Sequence, residues 1–171
     1  MKASVFLLSL LMLAGCSKKD PEPAFFLSAT IDGKSWTANE PNSQNTNTAA
    51  VISQNLVVVV ASQNVDKTVT SVGLVFPKAI TLNQAIAIDP AKNIALAYSL
   101  TQTEGYSADP AKGGKGTLTI TRFDEANSLV EGTFSGEAIH NKNGSRVTIT
   151  NGRFRSAIYS LTVTTPTPGK R

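Results

Sequence analysis

The stretch FFLSATIDGKSWTA at residues 25–38 carries the pattern that decides the fold. Its first half alternates apolar and polar side chains, which is the period of a strand with one buried face. Asp32 and Gly33 then supply the two positive-φ positions of a type I′ turn, so the pattern predicts a two-residue hairpin. In that hairpin Ala29 faces Trp36 and leaves room for the indole. We therefore expect Trp36 to anchor the core, with an exposed sugar-binding platform as the alternative.

Strand patterns continue along most of the chain, and no stretch has a convincing helical period. Further strands are predicted at residues 56–61, 68–76, 80–88, 94–100, 117–121, 130–138 and 146–150. Residues 56–61 are apolar on both faces, which is typical of a central strand covered on both sides. Asp89-Pro90 and Asp109-Pro110 predict turns between elements.

The last predicted hairpin requires an irregularity. If Asn-Gly at 143–144 forms a two-residue turn, Phe134 lies opposite Arg153, which belongs to the other face of its strand. One extra residue at 151–152 brings Phe134 opposite Phe154 instead. We therefore expect a β-bulge at 151–152, where glycine permits the left-handed conformation.

These patterns predict an all-β fold, an antiparallel β-sandwich or barrel-like domain of about eight to ten short strands. The expected organisation is a lipoprotein signal peptide at 1–15, a lipidated cysteine and flexible tether at 16–23, a single β-domain at 24–163 and a flexible tail at 164–171.

The N-terminus has the pattern of a secretory signal. Lys2 precedes an apolar run at 5–13, which is too short for a bilayer core that takes roughly 20 residues to span. Leu13-Ala14-Gly15-Cys16 resembles the lipobox of bacterial lipoproteins. The resemblance implies cleavage between Gly15 and Cys16 and lipid attachment to Cys16, the one cysteine of the chain. Several acyl chains would give a lasting membrane anchor.

The tether carries a second resemblance. Its charged residues look like the lysine-then-acidic signal that sends some lipoproteins to the cell surface; they are Lys18, Lys19, Asp20 and Glu22. Pro21 interrupts the acidic pair, and a merely solvated linker is the alternative. We expect an outer-membrane lipoprotein that faces either the cell surface or the periplasm.

Three motifs resemble those of a family. IDGKSW at 31–36, with GTFSG at 132–136 and VTITNGRF at 147–154, looks like the small outer-envelope lipoproteins of unknown function found in Bacteroidota. The resemblance implies an all-β domain and an envelope location. It brings no catalytic residues to transfer.

Motifs for chemistry are weak. The segment at 111–117 lacks the spacing of a phosphate-binding loop, and a strand follows it where a helix should begin. His140 is the one histidine and has no companion motif. Glu131 and Glu137 are six residues apart, about 20 Å along a strand, whereas glycosidase pairs need roughly 5 to 10 Å. We expect no enzyme activity, cofactor or metal.

The formal net charge is +4, and the basic residues are not clustered with aromatic ones, which argues against a nucleic-acid partner. We expect a lipid-anchored binding or structural accessory whose partners are the membrane, through its lipid, and an envelope protein or a glycan. One alternative is an envelope hydrolase with a site assembled from distant residues. Another is a carbohydrate-binding module that uses Tyr98, Tyr106 and Tyr159.

Overall fold

The computed structural model describes residues 24–42 and 45–160, and the regular structure in this part of the chain is almost entirely β-strand. Its strands are β1 (Phe26–Ile31), β2 (Lys34–Thr37), β3 (Thr48–Ser53), β4 (Leu56–Val65), β5 (Thr68–Pro77), β6 (Ile86–Ala87), β7 (Ala95–Ser99), β8 (Gly105–Ser107), β9 (Lys115–Asp124), β10 (Leu129–His140) and β11 (Arg146–Ser160). The all-β prediction is confirmed, with more strands than expected. The expectations for residues 1–23, including Gly15, Cys16 and the charged tether, and for 161–171 lie outside the described residues.

The strand pairing closes on itself. β11 pairs along one edge with β10 and along the other with β1 and then β3. From β3 the pairing continues through β4, β5, β7 and β8 back to β10. The β1–β2 hairpin fills the rest of the gap between β11 and β4, because Asn39 and Glu40 donate backbone N–H groups to the Ser62 carbonyl. The described strands thus form a barrel-like sheet, with β9 and β6 continuing from β10.

One pairing departs from the antiparallel expectation. β3 runs parallel to β11, with Ala50 opposite Ile158. The physical reason is that β2 and β3 follow one another in the same direction along β4, with no reversal between them. Since β2 already runs in the direction of β11, β3 does too.

The first hairpin forms as predicted. Asp32 and Gly33 have φ values of 46° and 75°, and Ala29 pairs with Trp36. Trp36 is 3% exposed, so the core position is confirmed. Its indole Nε1 donates a 2.9 Å hydrogen bond to Thr70 Oγ1 on β5. Trp36 therefore ties β2 to β5 across the interior.

The predicted bulge is present, but the register around it differs. Asn151, rather than Gly152 as expected, takes the left-handed conformation with a φ of 53°, and the pairing shifts between Phe134 and Gly136. The turn is longer than expected. The His140 N–H donates a hydrogen bond to the Ser145 carbonyl, which leaves four residues, 141–144, in the loop. Phe134 consequently pairs with Gly152 rather than Phe154. The shift is by two residues, so every side chain keeps its face.

Two predicted strands need correction. Residues 56–61 are not covered on both faces: Val57 and Val59 are fully buried, but Val60 is 45% exposed on the outside of the barrel. Within 80–88 only Ile86–Ala87 is strand. The rest of this segment is a loop that runs along the edge of β9 and makes only a few backbone hydrogen bonds with that strand, so it does not form a continuous ladder.

Both Asp-Pro turns are confirmed. Each begins a 3-10 helix, Pro90–Lys92 or Pro110–Lys112. In each case the aspartate side chain accepts a hydrogen bond from the backbone N–H two residues later, at 3.1 Å for Asp89 and 2.9 Å for Asp109.

The barrel has two distinguishable ends. We call the mouth the end formed by the turns at 32–33 and 66–67 and the loops at 100–104 and 141–144. The base is the opposite end, where β1 begins. Since β1 runs from base to mouth and the antiparallel β11 returns, the described chain enters and leaves the barrel at the base.

Candidate functional site

A pocket of about 300 Å³ opens at the mouth of the barrel. Three aromatic and three aliphatic side chains contribute apolar walls: Trp36, Tyr98, Tyr106, Ile31, Leu100 and Val147. Four polar residues complete the lining: Asp32, Lys34, Ser35 and Gln63. We call this feature the mouth pocket.

Strand alternation places the two tyrosines in the mouth pocket. Tyr98 on β7 lies two residues after the buried Leu96, so it points to the same interior side nearer the mouth. Tyr106 is its direct cross-strand partner on β8. Their ring centroids are 6.1 Å apart and the planes differ by only 19°. Both rings are half-buried, so they keep surface for a ligand.

The same alternation brings Gln63 into the pocket. β4 directs Val57, Val59 and Ala61 inward, and Gln63 continues this series where the strand reaches the mouth. A polar residue at an inward position of a strand was the sequence signal that could have indicated this pocket.

Unused hydrogen-bonding groups remain in the pocket. The side chains of Lys34 and Gln63 and the hydroxyl of Tyr98 make no hydrogen bond or ion pair with another described residue. Asp32 differs, since its Oδ1 accepts a 2.7 Å bond from the Thr148 N–H. The pocket therefore combines an ammonium group, an amide and a phenol that are free to bind a ligand.

His140 supports the pocket from behind. Its ring packs edge-on against Tyr106, with centroids 4.8 Å apart, and the residue is only 7% exposed. His140 is thus buried, although it stands at the end of β10, where a partly exposed side chain would be ordinary. Nδ1 accepts hydrogen bonds from the backbone N–H groups of Lys142 and Asn143, at 3.2 and 3.3 Å. His140 therefore holds the 141–144 loop and, through Tyr106, one wall of the pocket.

An ion pair joins the two loops beside the mouth. Lys142 Nζ donates to Glu104 Oε1. This hydrogen bond holds the pKa of the Glu104 carboxyl below its usual value. The pair links the loop at 100–104 to the loop at 141–144.

The other carboxylates considered from the sequence lie away from the mouth pocket. Glu131 and Glu137 project from the outer face of β10, where Glu131 pairs with Arg155 at 3.2 Å and Glu137 with Lys115 at 3.1 Å. Each is therefore engaged with a cation, and the structure does not bring the two together.

A larger hollow of about 360 Å³ lies on the outer face, over the small residues Gly116 and Gly136. Its remaining walls are Ile149, threonine and serine side chains and the Lys115–Glu137 pair, with no aromatic side chain. Its charged side chains are paired with each other and Thr117 with Ser135, so it lacks the convergent free polar groups typical of small-molecule sites.

The three tyrosines considered from the sequence lie at two ends of the barrel. Tyr98 and Tyr106 meet in the mouth pocket, whereas Tyr159 lies near the base, paired with Val51 of β3. The segment at 111–117 forms the end of a 3-10 helix and the start of β9.

Within residues 24–42 and 45–160, no group of three or more His, Cys, Asp or Glu side chains could hold a metal ion. In the same described ranges no helix is long and apolar enough to cross a membrane. No family model, curated protein sequence or solved structure matches the chain. The resemblance to Bacteroidota lipoproteins therefore stays a hypothesis.

Proposed function

We propose that this protein is a non-enzymatic, lipid-anchored module of the bacterial outer envelope that binds a small ligand in its mouth pocket. The observation that carries the proposal is the pocket itself, which joins aromatic walls to three polar side chains that have no partner among the described residues. Apolar walls with a few placed polar groups are what small-molecule sites share.

Binding is favoured over catalysis by the arrangement of the titratable groups. A nucleophilic or acid–base mechanism needs a base within hydrogen-bond reach of the reacting atom. His140 Nδ1 is already engaged with two backbone N–H groups. The carboxylate of Asp32 is engaged with the Thr148 N–H. The pocket lining contains no histidine and a single carboxylate, that of Asp32, so it holds no acid–base pair of these groups, and the geometry supports a binding role better than an envelope hydrolase.

The proposed anchor would attach at the end of the barrel opposite the pocket. A lipid on Cys16 would be joined to β1 through residues 17–23, a tether that reaches at most about 25 Å. Because β1 begins at the base, this tether would hold the base toward the membrane and direct the mouth away from it. The tether residues Lys18, Lys19, Asp20 and Glu22 would act as a surface-export signal, which sets whether the mouth meets the medium or the periplasm.

The single tryptophan allows a direct test. We expect some members of a chemically mixed fragment library to shift the indole N–H resonance of Trp36. The shifts should be lost in Tyr98→Ala and kept in Tyr159→Ala, a matched change at the base. If no fragment moves the resonance in the folded protein, the pocket does not bind small molecules and the proposal is wrong.

A further inference from the structure

We infer that the mouth pocket binds the terminal ring of a neutral sugar. This inference rests on the proposed function and names the ligand class of the same site. A pyranose ring presents C–H groups on its faces and hydroxyl groups around its edge. The mouth pocket offers the complement, aromatic surface on its walls and hydrogen-bonding groups beside it.

The aromatic walls suit a flat, saturated ring. Tyr98 and Tyr106 are nearly parallel, with 19° between their planes, and Trp36 is held nearby by its bond to Thr70. The negative face of an aromatic ring attracts polarised C–H groups. Rigid aromatic side chains also lose little conformational entropy on binding, because their orientation is already fixed.

The free polar groups suit hydroxyls. The Gln63 amide provides both donors and an acceptor, the Tyr98 hydroxyl can do either, and the Lys34 ammonium is a donor. A sugar hydroxyl is likewise donor and acceptor, so it can satisfy any of the three. An alkyl chain would leave them unpaired, at the cost of their desolvation.

Charge at the mouth does not favour an ionic ligand. Lys34 and Asp32 line the same pocket with opposite charges, and the Glu104–Lys142 pair beside it is likewise neutral overall. No excess of either sign is left in the lining to select an acid or a cation. A neutral sugar is therefore expected to bind in preference to its acidic counterpart.

The size and shape favour a terminal ring. A volume of about 300 Å³ lies at the lower end of the roughly 300–1,000 Å³ range of small-molecule sites. Strands surround the pocket, so a ligand enters from the mouth and cannot pass through. The end of a glycan fits this geometry, whereas a continuous chain would need an open groove.

The test titrates the full chain with named probes while the Trp36 indole resonance is followed. The neutral probes are glucose, galactose, mannose and N-acetylglucosamine; the comparison probes are glucuronate, benzoate and decanoate. We expect at least one neutral sugar to bind saturably and more tightly than the three comparison probes. Gln63→Ala should weaken it about fivefold, as for a lost hydrogen bond, and Tyr98→Ala about tenfold or more. Gln84→Ala, at an exposed glutamine of the loop before β6, is the matched control and should change nothing.

The outcomes separate the two proposals. If benzoate or decanoate binds and the sugars do not, the ligand class is wrong while the pocket remains a binding site. If neither sugars nor fragments bind, both proposals fail. If a sugar binds equally well to Gln63→Ala and Tyr98→Ala, with both variants folded, the site is elsewhere and the inference is overturned.

Discussion

The ring of Phe134 lies directly against the backbone of Gly152, its cross-strand partner in β11. A Cβ at Gly152 would come within 2.6 Å of that ring and 2.4 Å of the Phe134 carbonyl oxygen. The next inward pair of the same two strands has the same contact with the residue types exchanged. There the glycine is on β10, and a Cβ on Gly132 would lie 2.8 Å from the ring of Phe154. Two glycines thus give two phenylalanines room to fill the barrel interior.

This contact predicts that Gly152→Ala destabilises the protein by about 1–3 kcal/mol or more, because the nearest atom is backbone and cannot move aside. Urea unfolding followed by tryptophan emission measures the change. Gly73→Ala is the matched control, since a Cβ on Gly73 would meet no heavy atom within 4 Å. It should stay within about 0.5 kcal/mol of the wild type. Equal effects of the two changes would contradict the close contact.

Trp36→Ala should lower the free energy of unfolding by about 3–5 kcal/mol, as expected for a large-to-small change in a core. Thr70→Val removes only the acceptor of the indole hydrogen bond and should cost about 0.5–1.5 kcal/mol. Emission of the native protein should be blue-shifted and poorly quenched by acrylamide. A red-shifted, readily quenched indole would place Trp36 in water and contradict its burial.

Asp124 should make the free energy of unfolding depend on pH in the acid range. Hydrogen bonds from Arg122 and then Asn127 lower the pKa of Asp124 from 3.8 to about 2. A lowered folded-state pKa means that the stabilisation is complete above about pH 4 and is lost as the pH falls toward 2. The difference in stability between wild type and Asp124→Asn should therefore shrink across that window. A difference that stays constant from about pH 5 to pH 2 would contradict the assignment.

Cys16→Ala should abolish acyl labelling and release the domain from membranes, because no other cysteine is present to carry the lipid. Palmitate labelling and membrane sedimentation in salt measure the two effects. A Cys16→Ala protein that still labels and still sediments would show that the anchor is elsewhere.

The charged tether predicts surface exposure. Protease added to intact cells should remove the domain, and changing Lys18, Lys19, Asp20 and Glu22 to alanine should protect it while acylation and folding are kept. A wild-type protein that resists protease until the outer membrane is opened, beside a surface protein that is cut, would mean that the domain faces the periplasm.

Local features were accessible from the sequence because they depend on neighbouring residues. Asp32-Gly33 specifies its turn through positive φ, and the alternation before it specifies one buried face. The parity of the two faces even predicted the bulge at 151–152, since with an even-numbered loop no register without an extra residue puts both phenylalanines inside. The register itself was wrong by two residues, because Asn143-Gly144 is compatible with both a two-residue and a four-residue loop.

The closure of the barrel and the composition of the mouth pocket depended on tertiary structure. Trp36, Gln63 and Tyr98 come from three strands far apart in the chain, and nothing local to any of them indicates which others they meet. Their meeting follows from the long-range pairing of β11 with β3 and β10, which closes the ring. Period-two patterns determine which side of a strand is buried, but only that pairing determines which inward residues share the same end.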